Sequence, residues 1–171
     1  GDRVAAYMPN MMETAIAMLA ATSIGATWSS CATDIGSGAA LDRLGQIEPR
    51  GLFTVDGYFY KAKAFSTLSN AAEIGRGIPS VEKVVVASYP EAKPDIGEIP
   101  NGILWDDFLA QETGGDIEFE QLPFDHPVYI MFSSGTTGKP KCLVQGAGGI
   151  LINHLKELIL HTDLTRDDVH F

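Results

Sequence analysis

Cysteine is scarce in this chain of 171 residues: only Cys31 and Cys142 occur, far apart and without a Cys-x-x-Cys spacing. A small secreted domain that depends on disulfides would carry more cysteines than this. The pair therefore predicts reduced thiols and a cytoplasmic protein. No basic segment followed by an apolar one opens the chain, so no signal peptide is predicted.

Positive charge is also scarce, with 12 Lys and Arg against 22 Asp and Glu and a formal net charge of -10. This balance argues against a nucleic-acid-binding protein, because no basic surface offsets the acids. Acidic residues are absent between Val128 and Lys156, where Lys139 and Lys141 also occur. A window with lysines and no carboxylates predicts an anion-binding site.

One long uncharged run could be mistaken for a membrane span. Residues 14–33 contain no charged side chain over twenty positions, a length that could cross a bilayer. However, the run contains many Ser and Thr residues and Gly25, and its two halves differ in pattern. We therefore expect a buried helix followed by a strand, and no membrane span.

The remaining pattern alternates short apolar runs with helical periodicity. Alternation at this spacing is typical of βαβ units, so we predict an α/β fold: a mostly parallel sheet flanked by helices. The predicted strands cover residues 3–8, 26–29, 52–55, 83–87, 128–132 and 142–145, and the predicted helices cover 10–24, 39–48, 61–74 and 149–161. A capping box of Asn10 and Glu13 is expected to open the first helix. Its buried face is expected to contain Met12, Ile16, Leu19 and Ala20.

Residues 89–127 differ from the rest, with five prolines and many acids. They predict a surface excursion with one short helix at 105–110. The chain opens on a turn that leads straight into a strand, and it stops where another strand could begin. We therefore expect residues 1–171 to be a piece of one larger domain in a longer polypeptide.

The segment Met131–Gln145 reads MFSSGTTGKPKCLVQ and combines glycines, hydroxyls and two lysines. Backbone amides in such a segment can surround an anion, and the hydroxyls add donors. Composition alone fits a solvent-exposed hairpin equally well. The lysine pair without nearby acids favours the anion site.

Two common nucleotide motifs do not fit this region. A Walker A loop needs four residues between its glycines and a hydroxyl after its lysine, whereas Gly135 and Gly138 are separated by two residues and Pro140 follows Lys139. The segment GAGGIL at residues 146–151 lacks the third glycine of a dinucleotide fingerprint. Neither motif is therefore predicted.

Residues 132–141 (FSSGTTGKPK) resemble the phosphate-binding loop of adenylate-forming enzymes: acyl-CoA synthetases, peptide-synthetase adenylation domains and luciferases. The segments GDRVAAYMPN, SIGATWSS and LDRLGQIEP resemble the short-chain acyl-CoA synthetases, most closely those acting on acetoacetate. The similarity covers nearly the whole chain and is looser from 57 to 100. It implies the large N-terminal domain of a ligase that uses ATP, magnesium and coenzyme A to join a short carboxylic acid to a thiol through an acyl-adenylate.

The resemblance also implies roles for individual residues. The residues implied to hold the ATP phosphates are Ser133, Ser134, Gly135, Thr136, Thr137, Gly138, Lys139 and Lys141. Thr137 and Lys141 are the implied catalytic residues, whereas Lys139 stands at a variable position and is expected to act only through long-range charge. Lys63 is implied to contact the phosphates of coenzyme A. Cys142 and Gln145 depart from the usual glycine and histidine.

Two rival functions stay open. One is a ligase for acetate, propionate or a longer acid, and the other is a non-catalytic module that binds nucleotide phosphates. The implied partners are small molecules and the remainder of the chain, and the segment alone is expected to be inactive. We predict no metal site at His154 and His161, and a packing role for Cys142.

Overall fold

The computed structural model describes residues 1–111, 114–133 and 138–169. Its main sheet contains seven strands, in the spatial order β7-β6-β3-β1-β2-β8-β9. All neighbouring strands are parallel except β8 and β9, which are antiparallel. The seven strands of this sheet are β1 (Arg3–Tyr7), β2 (Thr27–Cys31), β3 (Gly51–Val55), β6 (Lys83–Ala87), β7 (Gly102–Leu104), β8 (Pro127–Ser133) and β9 (Lys141–Gly146). The strands β4 (Gly57–Tyr60) and β5 (Lys63–Ser66) form a separate two-stranded sheet. The predicted α/β fold with a mostly parallel sheet is confirmed.

Helices cover both faces of this sheet. They are α1 (Met12–Ser23), α2 (Ser37–Leu44), α3 (Leu68–Gly77), α4 (Trp105–Leu109) and α5 (Ala147–Leu155), which continues as a π-helix over Lys156–His161. The helices α2 and α3 pack with Tyr7 on one face, and α1 and α4 pack with Ala6 on the other. Neighbouring residues of one strand are thus buried on opposite faces, which explains the continuous apolar runs.

The first helix differs from its prediction in two ways. Met11 stands at the N-cap without a side-chain hydrogen bond, so the predicted capping box of Asn10 and Glu13 is wrong. The buried residues are Ala17 and Ala21, whereas Met18 is half-buried and three of the larger apolar side chains are exposed. Met12, Ile16 and Leu19 are 73%, 47% and 61% exposed, and Ala20 is exposed too. The helix is apolar on both sides, and it turns its small side chains to the sheet.

The predicted helix over 61–74 is wrong in its first half. Residues 57–66 form an antiparallel hairpin, β4–β5, in which Tyr60 pairs with Lys63. Its two-residue turn places Lys61 and Ala62 in the left-handed region, at φ 49° and 61°. Two consecutive positive φ angles match the twist of a β-hairpin. The helix α3 begins only at Leu68.

The segment 89–127 contributes one strand and one helix. The predicted short helix is confirmed as α4, and β7 adds an edge strand to the main sheet beside β6. The uncharged run 14–33 is divided between α1 and β2, as expected. Within the described ranges, no helix has the length and apolar character needed to cross a membrane.

Candidate phosphate-binding site

The candidate site lies where β8 ends at the carboxyl edge of the sheet. The chain turns back there, and β9 begins at Lys141, with Ser133 opposite Lys141 and Phe132 opposite Cys142. The predicted loop residues Ser134, Gly135, Thr136 and Thr137 lie outside the described residues. The structure therefore describes the two arms of the hairpin and brings the predicted residues Ser133 and Lys141 side by side at its base.

The returning arm begins with a bend at Gly138. Its φ of +93° is one that L side chains rarely adopt, and a Cβ atom there would meet no neighbour. The backbone angle, and not lack of space, thus explains why glycine suits this position. The bend leads through Lys139 and Pro140 into β9.

The returning arm contacts the end of α2. The Lys139 Nζ lies 3.8 Å from the Asp42 Oδ1, and the Gln46 Nε2 donates a hydrogen bond of 3.0 Å to the Pro140 carbonyl. Residues 128–156 contain no acidic side chain, but the fold brings Asp42 from α2 next to Lys139. An exposed pair of this kind contributes about 0–1 kcal/mol. The expectation that Lys139 acts only through long-range charge therefore stays a prediction.

A cleft of about 530 Å³ opens between β2 and β8 and reaches Phe132, next to the candidate site. Cys31, at the end of β2, and Arg43, on α2, both line it. Burial raises the pKa of the Cys31 thiol to about 11, although the charge of Arg43 opposes this shift. The thiol therefore stays protonated at neutral pH and is a packing group, not a nucleophile.

Sequence reasoning missed the contribution of α2 to this site. Asp42, Arg43 and Gln46 border the hairpin arm or the cleft, although about ninety residues separate them from Pro140 along the chain. The only available signal was the spacing of Asp42 and Gln46, four residues apart and thus on one side of a helical turn. That spacing does not indicate which partner they contact.

Lys63 occupies a separate part of the same edge. It lies on β5 and is exposed, in the hairpin that follows the carboxyl end of β3. Three strand spacings separate β3 from β8, or about 14 Å. The structure thus places Lys63 near the end of a different strand from Lys139 and Lys141, and its predicted contact with coenzyme A stays a prediction.

The structure shows the surroundings of three other residues, Cys142, Gly148 and Asp168, more clearly than the sequence did. Cys142 is exposed, so its predicted packing role is wrong in this chain. A Cβ atom on Gly148 would come within 2.2 Å of the Phe124 ring, which accounts for this glycine by packing. Asp168 accepts hydrogen bonds from the Thr165 amide and hydroxyl, which lower the pKa of its carboxyl, and it closes a turn.

The fold and hairpin match a known family along their whole length. Residues 1–171 match the AMP-binding enzyme family, and the chain belongs to it. It is 49% identical to the acetoacetyl-CoA synthetase of Mus musculus over 99% of the chain, and 45% identical to that of Rhizobium meliloti over 96%. It is also 43% identical, over 98% of the chain, to a malonamoyl-CoA synthetase of Penicillium aethiopicum.

A solved structure gives the same result. The acetoacetyl-CoA synthetase from Streptomyces lividans superposes with a TM-score of 0.89 at 41% identity, over 98% of this chain. The chain spans about a quarter of each of these proteins: 26% of the mouse protein, 25% of the Rhizobium protein, 24% of the Penicillium protein and 25% of the Streptomyces chain.

Proposed function

We propose that residues 1–171 form part of the large N-terminal domain of an AMP-forming acid–CoA ligase whose acid is acetoacetate. The observation that carries this proposal is the hairpin at the end of β8, with Ser133 opposite Lys141, in a chain matched by acetoacetyl-CoA synthetases almost from end to end. In a parallel α/β sheet, ligands bind at the carboxyl ends of the strands. The hairpin leaves the sheet at that edge.

The proposed reaction has two steps. A carboxylate oxygen of acetoacetate bonds to the α-phosphorus of ATP, and the bond from that phosphorus to the leaving pyrophosphate breaks. The thiol of coenzyme A then loses its proton and bonds to the acyl carbon, and AMP leaves. Negative charge builds on the pyrophosphate in the first step, so donors fixed in advance around it lower the barrier.

The hairpin residues would supply those donors. Ser133 and Gly138 lie at the two ends of the segment, and Ser134, Gly135, Thr136 and Thr137 would complete it with amides and hydroxyls. Lys141 at the base would bring positive charge, and Thr137 would donate to the oxygens that gain charge. Charge-assisted hydrogen bonds of this kind contribute about 1.5–3 kcal/mol each. Lys139 would contribute less because Asp42 lies beside it.

The other substrates would meet different groups. Lys63 on its exposed hairpin would contact the phosphates of coenzyme A. Magnesium would arrive bound to the phosphates of ATP, as is usual for nucleotide substrates. We place the ligase in the cytoplasm because both cysteines are free, with Cys31 buried and Cys142 exposed.

A second acid is favoured by one specific comparison. The 43% identity to a malonamoyl-CoA synthetase shows that proteins named for a different acid share this segment. Malonamate, acetate and propionate therefore belong in the same test. ATP–pyrophosphate exchange by the full-length ligase that contains this chain should be fastest with acetoacetate.

Each alternative gives its own result in that assay. Faster exchange with another acid would reassign the substrate. Binding of ATP without exchange for any acid would support the non-catalytic phosphate-binding module. The isolated 171-residue chain is expected to form no acyl-adenylate, and exchange by this segment alone would contradict its proposed place within a larger domain.

A further inference from the structure

Hydrogen bonds to α2 hold both the backbone and the side chain of Gln46, which also contacts the hairpin. It lies two residues beyond α2, where its backbone N–H donates to the Arg43 carbonyl at 3.1 Å. Its side-chain Nε2 donates to the Asp42 carbonyl at 2.5 Å, which closes one more turn. The second hydrogen of the same nitrogen reaches the Pro140 carbonyl at 3.0 Å. One amide group thus joins α2 to the returning arm.

The direction of this amide group follows from its surroundings. The two oxygens of Asp42 and Pro140 that face the side chain are both backbone carbonyls, which can only accept hydrogen bonds. The opposite orientation would point the amide oxygen at both of them and lose both hydrogen bonds. The donor assignment is therefore the one that the network supports.

The contact falls on the residue before β9. Pro140 has a restricted φ and no N–H, so few backbone adjustments remain between the bend at Gly138 and the first strand residue, Lys141. Holding the Pro140 carbonyl fixes the peptide unit that leads into Lys141. Asp42 holds the preceding residue, Lys139, from the same helical turn.

We propose that Gln46 is a positioning residue for the phosphate-binding hairpin, which aligns Lys141 and the returning arm for the nucleotide phosphates. This inference rests on the proposed function. Donors that are already aligned lose less conformational entropy when the anion binds, so the tether increases affinity without touching the nucleotide. Both contacts are exposed, but the amide tether is neutral, whereas the Asp42–Lys139 ion pair is weakened by salt.

The test uses three variants of the full-length ligase. Gln46→Leu removes the donor at similar size, and Gln46→Glu places carboxylate oxygens against the Asp42 and Pro140 carbonyls. Gln121→Leu is the matched control, because the Gln121 side chain also donates to a backbone carbonyl, that of Phe119, which lies outside the hairpin. Each is measured by ATP–pyrophosphate exchange, by calorimetric binding of magnesium ATP and by thermal unfolding.

Gln46→Leu removes both side-chain hydrogen bonds, and loss of the neutral one to the Pro140 carbonyl predicts a rise of about three- to tenfold in the KM and Kd for ATP. The KM and Kd for ATP should rise further in Gln46→Glu, whereas in Gln121→Leu both should equal the wild-type values. The KM for coenzyme A and the Tm should stay at the wild-type values. A purely structural role would not weaken ATP binding alone while leaving coenzyme A binding and the Tm unchanged. It would also not make Gln46→Glu bind ATP more weakly than Gln46→Leu.

Two results would overturn the inference. The first is a Kd for ATP within twofold of wild type in both Gln46 variants, and the second is an equal loss in every parameter together with a lower Tm. If the proposed function is wrong but the Gln46 inference is right, the wild-type protein binds ATP but exchanges no pyrophosphate with any acid. In that case the calorimetric Kd of the variants still decides the role of Gln46. A wild-type protein that binds no ATP would refute both proposals.

Discussion

The phenol oxygen of Tyr7 lies 3.1 Å from the side-chain nitrogen of Asn70, and this hydrogen bond joins the end of β1 to α3. The Tyr7 hydroxyl also lies 3.0 Å from the Thr33 carbonyl and 2.6 Å from the Ile35 carbonyl, in the connection between β2 and α2. Tyr7 is fully buried. One hydroxyl therefore links three separate segments below the carboxyl edge.

Tyr7→Phe removes this hydroxyl and keeps the ring. We expect the free energy of unfolding of the chain to fall by about 1–3 kcal/mol, because the buried Thr33 carbonyl and the half-buried Ile35 carbonyl and Asn70 amide lose their hydrogen bonds to this hydroxyl. Urea unfolding measures the change. Tyr60→Phe is the control, since Tyr60 is 58% exposed, and an equal loss in that variant would contradict the explanation.

Cys31→Ala should change the alkaline stability of the chain. The Cys31 thiol has its pKa raised by burial to about 11 in the folded state, against about 9 when unperturbed. Between those values the unfolded chain binds fewer protons, so stability falls as pH rises from 9 to 11. Removal of the thiol should reduce that slope.

The measurement for Cys31 is the free energy of unfolding from pH 8 to pH 11. Burial also raises the pKa of Tyr7, so part of the alkaline loss should remain in Cys31→Ala. Cys142→Ala, at an exposed position, is the matched comparison. If both cysteine variants kept the wild-type slope, the burial of Cys31 could not be its cause.

Ala62→Gly should stabilise the β4–β5 hairpin. Ala62 has a φ of 61°, which costs an L residue roughly 1–2 kcal/mol and glycine almost nothing. Glycine also loses more entropy on folding, so we expect a net gain of about 0.5–1 kcal/mol in thermal or urea unfolding. Ala64→Gly, in the adjacent strand without a positive φ, should instead destabilise the chain. A loss in both variants would argue against strain at the turn.

If the proposed function is right, Lys141→Ala and Thr137→Val in the full-length protein should each lower kcat/KM for ATP by about 10²-fold, as for loss of one donor to a developing negative charge. Lys139→Ala should cost far less, because its charge is exposed and shared with Asp42. Steady-state pyrophosphate exchange ranks the three variants. A loss in Lys139→Ala as large as in Lys141→Ala would reverse the assigned roles.

The fold was predictable because its signals are local and repeated. Apolar runs such as KVVVA at 83–87 indicated strands directly, and β6 has those bounds. The hairpin at 57–66 was missed because its turn carries Lys61 and Ala62, without the Asn or Gly that normally marks two positive φ angles. The buried face of α1 was misassigned because Met12 and Leu19 outrank alanine in hydrophobicity, yet alanines face the sheet.

The candidate site was predictable only in part. The hydroxyl- and lysine-rich segment identified the hairpin, and the register places Ser133 beside Lys141. The partners from α2 could not be inferred, since the contacts of Asp42 and Gln46 with the returning arm depend on how α2 packs beside the β8–β9 hairpin. Local pattern carries no information about such a pairing.

The junction between β2 and β8 has a consequence for how the sheet opens. Backbone pairing there is limited to Trp28 with Tyr129, whereas β1 pairs with β2 at five positions. Side chains supply the remaining links: the Ser29 hydroxyl to the Ile130 carbonyl at 2.7 Å and the Thr27 hydroxyl to the Pro127 carbonyl at 3.2 Å. Opening of the sheet should therefore begin between β2 and β8, because the β8–β9 hairpin is joined to the rest of the sheet by its shortest run of backbone pairing, one position against three between β6 and β7.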